Sequence, residues 1–470
     1  MTNDRTAGSA GLMIDSGALS PLTVGCDAAV SDTAFLSHLI AVEAALTIAW
    51  GELGVAPDAA VTAVASALLP EGFEPGQDAP LARFDPAAVV AEASAGGNPV
   101  IPLVAQLRRI VPEPGAAWVH RGATSQDIMD TALMCLARDA VEQTLDALDH
   151  VTSVLADFAR DHSDDTAAAR TLTQHAVPTT VGLRASNWAR GISRAALRLD
   201  DALRELPAQL GGAGGTLASF VATGGVDAAR ELPLAFAEAV GLAAPEAPWH
   251  TQRWPVTELG DALAQALDAL GKLAADVATL SRTEIGELAE GSGGGSSAMP
   301  QKRNPAGSVL IRSAAIRAPY LAATLHSAAA LAVDERPDGA WHAEWQTLRE
   351  LLRLALGASA HAVTLVEGLR VDEDAVRRNL ALTGGLIVAE RLSLELGPLI
   401  GAHRVKQLVA AAGAGEDLAT LLAALLAAEP ALDGLDVAAL LDPAHYTGLA
   451  PELASRIADE FDATPLEEIP

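Results

Sequence analysis

A chain of 470 residues is long enough for two or three domains and a large buried core. Half of the residues are apolar and only 3% are aromatic, a composition that favours helices over sheets. The net charge of −29 argues against binding of nucleic acid, because a surface that binds nucleic acid is basic.

The N-terminus and the cysteines predict a cytoplasmic protein. The first residues, MTNDRTAGSAG, lack the basic and apolar regions of a signal peptide. The most apolar stretches are too short to span a bilayer. Cys26 and Cys135 have no spacing that suggests a metal site or a disulfide framework. We therefore expect a protein of the reducing cytoplasm with no membrane segment.

Helical patterns begin at Ala34. The first segment, FLSHLIAVEAALTIAWGELG, ends at Gly54, a plausible helix stop. A stretch rich in proline and glycine covers residues 70–86, and a second one begins at Val111. The second stretch marks the first domain boundary, so we predict an N-terminal helical domain over residues 1–112.

Three longer helical patterns follow. Apolar residues recur every three or four positions within residues 141–158 and again from residue 259 to residue 280. The second pattern predicts a helix over residues 257–290, which would be roughly 50 Å long at 1.5 Å per residue. A third predicted helix covers residues 306–333. Helices this long with one apolar stripe are typical of a bundle, often with a partner subunit.

The predicted fold is therefore all-α. We expect a central long-helix bundle over residues 113–365 and a smaller helical domain over residues 366–470. The sequence shows no internal repeat and no alternation of strands with helices.

The first polar segment that could carry chemistry is WVHRGATSQDIMDTALM, residues 118–134. It places Thr124 and Ser125 just before an apolar helical run, which is an N-cap signature, and Asp127 suits the first helical turn. Alternatively, the free N–H groups and hydroxyls at this helix start bind a carboxylate, as helix N-termini do. Both interpretations remain open from the residues alone.

The second polar segment is ARTLTQHAVPTTVG, residues 169–182. Its polar side chains precede Pro178, so we expect them at a break in structure and not inside a helix. His175 is the titratable residue of interest. An isolated histidine is more often a structural residue than a catalyst, but its neutral-range pKa suits a proton donor or acceptor.

The third segment is GSGGGSSAMPQKRNP, residues 291–305. It lacks the glycine-lysine-serine order of a phosphate-binding P-loop. A flexible linker is a poor alternative because the segment joins two long helices of one bundle, where connections are normally short. We predict a loop that moves and carries catalytic residues.

These three segments resemble one family. GSSAMPQKRNP strongly resembles the signature loop of the fumarase/aspartase superfamily, and TSQDIMDT and RTLTQHAVPTTVG resemble its two upstream blocks in the right order. The resemblance implies the all-α, three-domain fold of that superfamily. It also implies a homotetramer whose active sites are shared between subunits, and it calls for no metal or organic cofactor.

Further segments resemble the 3-carboxy-cis,cis-muconate cycloisomerase branch. They are GGNPVIPLVAQLR, PWHTQR and GAWHAEW. That resemblance implies an intramolecular lyase of aromatic (protocatechuate) catabolism, which converts a small tricarboxylate to 4-carboxymuconolactone. The chain departs from many superfamily members at Leu172, where they have histidine, and at Val309, where they have glutamate. Trp254 also stands where related sequences often have aspartate.

The resemblance also implies roles for individual residues. Ser296 would exchange the proton, Lys302 would stabilise its alkoxide, and His175 would act as a second acid–base or orient the attacking carboxylate. Arg336, Trp341 and His342 would shape specificity. Other residues of the three segments would bind the substrate: His120, Arg121, Thr124, Ser125, Gln126, Thr173, Gln174, Ser297, Met299 and Asn304.

Two alternatives remain. The first is adenylosuccinate lyase or another fumarate-releasing lyase of the superfamily, which for adenylosuccinate would need a nucleotide phosphate site. The second is a non-catalytic structural or binding protein on the same scaffold. The presence of Ser296, His175 and Lys302 in one chain argues against the second alternative.

Overall fold

The structure, a computed structural model, describes residues 17–69, 83–291, 294, 299 and 302–463, with side chains to residue 460. Most of these residues are helical, which confirms the predicted all-α class. Their α-helices, in chain order, are α1 (Asp32–Glu52), α2 (Asp58–Leu68), α3 (Pro86–Gly96), α4 (Val100–Ile110), α5 (Ser125–Asp161), α6 (Val181–Arg204), α7 (Ala218–Val240), α8 (Trp254–Leu280), α9 (Ala306–Ala330), α10 (Gly339–Glu367), α11 (Glu373–Leu380), α12 (Ala389–Ile400), α13 (Ala402–Gly413), α14 (Leu418–Ala428), α15 (Val437–Leu441) and α16 (Ala450–Ala463).

Among the described residues, strands form two antiparallel pairs. In the first pair, β1 (Thr166–Thr171) and β2 (Gln174–Thr180) form a hairpin whose two loop residues, Leu172 and Thr173, have φ of 48° and 74°. Positive φ at both loop residues matches the twist of the flanking strands. In the second pair, β3 (Leu288–Ala289) lies beside β4 (Arg370–Val371). The second polar segment therefore forms a hairpin, outside any helix as predicted.

The chain divides into two compact units. Unit 1 comprises Met1–Thr144, Leu199–Leu267 and Ala314–Ala360. Unit 2 comprises Leu145–Arg198, Asp268–Ser313 and His361–Pro470. All five points at which the chain passes from one unit to the other lie inside helices, namely α5, α6, α8, α9 and α10. The predicted three-domain division along the chain stays a prediction.

Helix α1 is central to the core of unit 1. It begins where the hydroxyl of Ser31 accepts a hydrogen bond from the Ala34 N–H at 3.1 Å, an N-cap contact. Its Leu39 and Trp50 are fully buried in the main apolar cluster of this unit. By length and composition α1 could cross a membrane, but 78% of its most apolar stretch is buried inside the protein, as in core helices of soluble proteins.

Two apolar clusters among the described residues of unit 2 pack around the C-terminal helices and the hairpin. Leu392, Leu396 and Leu422 are fully buried in the larger cluster, which joins α12 to α14. The smaller cluster packs strand residues such as Ala167 against Val181 at the start of α6. These contacts fix the β1–β2 hairpin in unit 2.

Two helix boundaries have clear physical causes. Helix α8 ends at Leu280, where its apolar spacing ends, so the prediction of a helix through residue 290 is wrong. At the start of α6, a Cβ on Gly182 would lie 2.3 Å from the Ala159 carbonyl oxygen and 2.7 Å from the His162 carbonyl oxygen. Only glycine permits this close backbone approach.

Candidate active site

The first polar segment forms a turn before α5 in unit 1. Asp127, fully buried in the first helical turn, accepts hydrogen bonds from the backbone N–H groups of Thr124 (2.9 Å), Gly211 (2.9 Å) and Gly212 (3.0 Å). The predicted first-turn position of Asp127 is confirmed. Its carboxylate satisfies the Thr124 N–H, whereas the Thr124 and Ser125 side chains are partly exposed. The carboxylate-binding role of Thr124 and Ser125 stays a prediction.

Gln126 and Asp127 are tied to a buried histidine. Nε2 of His250 lies 2.8 Å from Oδ1 of Asp127, and both side chains are almost fully buried. The Gln126 side-chain amide donates to the His250 carbonyl at 2.9 Å and to Asp130 Oδ2 at 3.1 Å. Gln126 is therefore engaged inside unit 1, and its predicted contact with substrate stays a prediction.

His120 pairs with a buried glutamate. Its Nδ1 lies 2.7 Å from Oε1 of Glu43, which is fully buried in α1. Burial lowers the pKa of His120, but the Glu43 carboxylate outweighs it, so the net shift is upward. His120 also has a φ of 59°, an uncommon backbone conformation for a residue other than glycine. The next residue, Arg121, stacks over the Trp118 ring at 4.9 Å.

A buried ion cluster in unit 1 joins α5 and α10 through Arg253, the residue immediately before α8. The Arg253 guanidinium contacts both oxygens of Asp130 at 2.7 and 3.0 Å and both oxygens of Glu344, the closest at 2.7 Å. These three side chains are between 0% and 3% exposed. The Trp341 ring N–H donates to Asp130 at 2.9 Å. Trp341 is thus buried as a partner of this cluster, and its role in specificity stays a prediction.

The other predicted specificity residues also lie in unit 1. Arg336 donates to the Ala213 carbonyl at 3.0 Å. His342 Nε2 lies 2.9 Å from the Gly97 carbonyl oxygen, which connects GAWHAEW to GGNPVIPLVAQLR. Trp254 begins α8 and is 43% exposed. The three segments of the cycloisomerase branch therefore contact one another or the same buried cluster.

His175 lies in unit 2, on β2 opposite Arg170 of β1. Burial and then Arg170 lower the pKa of His175, so its imidazole is neutral at pH values near 7. Its Nδ1 is buried and has no hydrogen-bond partner among the described residues. The neighbouring hairpin-tip residues Thr173 and Gln174 are exposed. A neutral imidazole with an unpaired nitrogen can accept or relay a proton.

Glu287 holds the groups around His175. This carboxylate is 1% exposed and accepts two hydrogen bonds from Arg170, one of them at 3.1 Å, and one from Asn379 at 2.9 Å. Arg184 lies 3.6 Å away. Burial acts to raise the pKa of Glu287, but Arg170 and Asn379 outweigh it and the net shift is downward. The carboxylate is therefore ionised and fixes Arg170.

The third polar segment is only partly described. Ser296 and Ser297 lie outside the described residues. Lys302 is exposed, and its backbone N–H donates to the Met299 carbonyl at 3.0 Å. Met299 is 43% exposed. Asn304 exchanges two backbone hydrogen bonds with Gly294, at 2.8 and 2.9 Å.

Glu290, the residue before this segment, is hydrogen-bonded to residues that closely follow the segment. Glu290 accepts hydrogen bonds from the Gly307 and Ser308 N–H groups at 3.1 and 2.8 Å, which are in the first turn of α9. A carboxylate there satisfies free N–H groups and suits the helix dipole. Together with the Gly294–Asn304 pair, this contact closes the base of the loop.

The structure thus places the described candidate residues in two groups, one in each unit. Sequence reasoning missed five charged residues that hold them: Glu43, Asp130, Arg253, Glu344 and Glu287. A usable signal exists for two of them. Glu43 in LIAVEAALTIAW and Asp130 in IMDTALMCLA are isolated charges in apolar helical runs, which places them in the core with a partner.

Comparison with known proteins finds lyases and carboxymuconate cycloisomerases that are similar over most of the chain. A family model described as lyase matches residues 31–319. A nitrosuccinate lyase from Streptomyces davaonensis is 44% identical, covering 94% of each chain. A 3-carboxy-cis,cis-muconate cycloisomerase from Pseudomonas aeruginosa is 40% identical, covering 94% of this chain and 95% of the relative. The crystal structure of 3-carboxy-cis,cis-muconate lactonizing enzyme from Pseudomonas putida has a TM-score of 0.83 and 35% identity, covering 92% and 96%.

Proposed function

The chain belongs to this lyase family, the fumarase/aspartase superfamily, and we propose that it is a 3-carboxy-cis,cis-muconate cycloisomerase. In this role it converts 3-carboxy-cis,cis-muconate to 4-carboxymuconolactone as an intramolecular lyase of protocatechuate catabolism. The observation that carries the proposal is the meeting of the three branch segments in unit 1, through His342 with Gly97 and Arg253 with Glu344. The similarity to named cycloisomerases over nearly the whole chain supports it.

The reaction is an intramolecular addition to a conjugated double bond. One carboxylate oxygen of the substrate forms a C–O bond to an alkene carbon, and the π bond breaks. The neighbouring carbon, which is alpha to another carboxylate, receives one proton. Negative charge builds on that carboxylate before the proton arrives, so the site has to supply a proton carrier and cationic or N–H groups for the developing charge.

The described residues offer those groups. Lys302 is an exposed cation in the same segment as Ser296, our proposed proton carrier. His175, neutral and with an unpaired Nδ1, is the second acid–base group or orients the attacking carboxylate. His120, whose pKa is raised by the Glu43 carboxylate, supplies a further hydrogen-bond donor for a substrate carboxylate. Such local cations are required because the chain as a whole carries −29 and would repel a trianion.

A second candidate is nitrosuccinate lyase, because the relative of that name is 44% identical. In that reaction a C–H proton alpha to a carboxylate leaves, the C–N bond breaks with loss of nitrite, and a double bond forms. As in the reverse of lactonisation, negative charge develops on the carboxylate next to the carbon that loses the proton. The same proton carrier and the same cationic groups would serve both reactions.

We also propose a cytoplasmic homotetramer with shared active sites. Helix α9 exposes large apolar side chains at Val309 (53%), Ile316 (66%) and Tyr320 (76%). Their spacing of seven and four residues places them on one side of the helix. An apolar stripe of this kind supports burial against another subunit.

Parallel assays of the purified protein test the proposal. With 3-carboxy-cis,cis-muconate we expect loss of its ultraviolet absorbance and formation of the lactone, detected by NMR. Nitrosuccinate is assayed by nitrite release, and adenylosuccinate by fumarate release. No loss of carboxymuconate absorbance at micromolar enzyme would exclude the cycloisomerase, and rapid nitrite release would then establish the second candidate. A Ser296→Ala variant that folds but still lactonises would exclude Ser296 as the proton carrier.

A further inference from the structure

The side chain of Glu43, which contacts His120, is a carboxylate in the buried interior of unit 1. Glu43 is fully buried in α1, and burying a carboxylate is unfavourable unless it is paired. Its Oε1 contacts His120, while its Oε2 has no hydrogen-bond partner among the described residues. The carboxylate is therefore only half satisfied. An apolar residue would be more favourable for stability alone at this position.

The backbone around His120 is fixed from α1 and α4. Thr47 donates to the Trp118 carbonyl at 3.2 Å, and the Trp50 ring N–H donates to the Arg121 carbonyl at 3.4 Å. Arg108 of α4 donates to the Val119 carbonyl at 3.0 Å. These contacts hold the turn on both sides of His120. None of these contacts involves the His120 ring, so the orientation of the ring depends on its own side-chain partner.

Glu43 is that partner. Because Nδ1 of His120 is engaged at 2.7 Å, Nε2 is the ring nitrogen left for a ligand, and it has no hydrogen-bond partner among the described residues. The ring is 17% exposed, whereas Glu43 is 0% exposed. His120 also keeps a strained positive φ, a feature concentrated at functional sites.

We propose that Glu43 is a positioning residue for the reaction: it fixes the His120 ring so that the Nε2–H group donates to a carboxylate of the substrate. This role rests on the proposed function. The charged groups that act on the ring are Glu43 of α1 and Asp127 of α5, which favour the imidazolium, and Arg108 of α4, which opposes it. Burial also opposes the imidazolium, but the two carboxylates prevail and the net shift of the His120 pKa is upward, which favours the charged donor form.

The primary test uses Glu43→Gln and needs no turnover. The glutamine keeps the size of the side chain and can still accept from Nδ1, but it lacks the charge. Titration of histidine-labelled protein by NMR, with His120 assigned from a His120→Gln variant, should show a lower pKa for His120 in Glu43→Gln. Binding of tricarballylate, a simple tricarboxylate probe, should weaken by about tenfold, the loss expected for one charge-assisted hydrogen bond.

A matched control uses another histidine–carboxylate pair, in which the histidine lies on α1 and the carboxylate on α5. His38 of α1 is 2% exposed, and its Nε2 lies 3.1 Å from Asp139 Oδ2. Asp139→Asn changes another histidine–carboxylate pair in unit 1 but none of the candidate site residues. We expect it to leave tricarballylate binding and the His120 titration unchanged. Equal weakening by Asp139→Asn and Glu43→Gln would indicate a general structural effect and overturn the proposal.

Kinetics and a double variant complete the test. On whichever carboxylate substrate the protein turns over, Glu43→Gln should raise KM by about tenfold with a smaller change in kcat. In a His120→Gln background, Glu43→Gln should add nothing further. Additive effects, or an unchanged His120 titration, would overturn the positioning role. If Glu43→Gln fails to fold, Glu43→Asp keeps the charge and should keep the raised pKa while weakening tricarballylate binding.

The two proposals fail in different ways. If none of the assayed substrates is converted but the His120 titration and tricarballylate binding respond as stated, the proposed reaction is wrong and the positioning role stands. If lactonisation occurs and Glu43→Gln changes neither binding nor titration, the positioning role is wrong and the reaction stands.

Discussion

Replacing Arg253 with methionine is expected to destabilise unit 1 strongly. The guanidinium is 1% exposed and is the cation between the buried carboxylates of Asp130 and Glu344. Methionine fills most of the volume but removes every hydrogen bond to the two carboxylates. Removing one partner from a buried ion pair costs about 3–5 kcal/mol, because an uncompensated charge is left behind.

The pH dependence of this loss follows from Glu344. Burial raises the pKa of Glu344 even though Arg253 opposes the shift. In the variant, Glu344 takes up a proton more readily still, which relieves part of the charge at low pH. An acid whose folded-state pKa is raised contributes stability below its unfolded pKa and loses it as pH rises. The destabilisation by Arg253→Met should therefore be larger at about pH 8 than at about pH 5.

Urea unfolding followed by far-ultraviolet circular dichroism measures the effect. Arg230→Met is the matched control, because Arg230 lies in the same unit, is 68% exposed and contacts Asp227 only at 3.4 Å. We expect its unfolding midpoint to be close to that of the unchanged protein. If Arg253→Met has the same midpoint as Arg230→Met, the cluster does not stabilise unit 1 in the way described.

Three further outcomes are expected. Gly182→Ala should lower the unfolding free energy by about 1–3 kcal/mol because its Cβ meets backbone atoms, whereas Gly191→Ala on the same helix has open space and should raise it by about 0.5–1 kcal/mol; equal midpoints would contradict this. The lowered pKa of His175 places the acid limb of kcat/KM below the ordinary value of 6.5, and His175→Asn should remove that limb; a limb above 6.5 would contradict the assignment. Lys302→Met should lower kcat/KM by about a hundredfold while the melting temperature stays unchanged, since Lys302 is exposed; a normal rate would remove it from the site.

The long helices are predictable because apolar spacing is a local signal. Helix α9 begins at Ala306 as expected, whereas α8 ends at Leu280, where its apolar spacing ends and before the predicted end at residue 290. The β1–β2 hairpin is not predictable in the same way. Its loop residues Leu172 and Thr173 are not the asparagine and glycine that usually occupy positive φ in a tight hairpin turn.

Local sequence patterns could not identify the polar partners of the candidate site residues. Glu43 and His120 are 77 residues apart, and Arg253 is 123 residues from Asp130. Periodicity shows that a residue faces the core but not which distant residue it meets there. The motifs identified His120 and His175, whereas the groups that set their pKa shifts became visible only in three dimensions. The role of Ser296 stays a prediction.

The five crossings between the units also bear on how this family diversifies. Each unit is assembled from three separate stretches of chain, and every crossing lies inside a helix. No single excision yields either unit, so a gene fragment cannot carry one of them into another protein. Relatives as different in name as nitrosuccinate lyase and carboxymuconate cycloisomerase align over nearly the full chain, as expected when specificity changes by point substitution within one inherited frame.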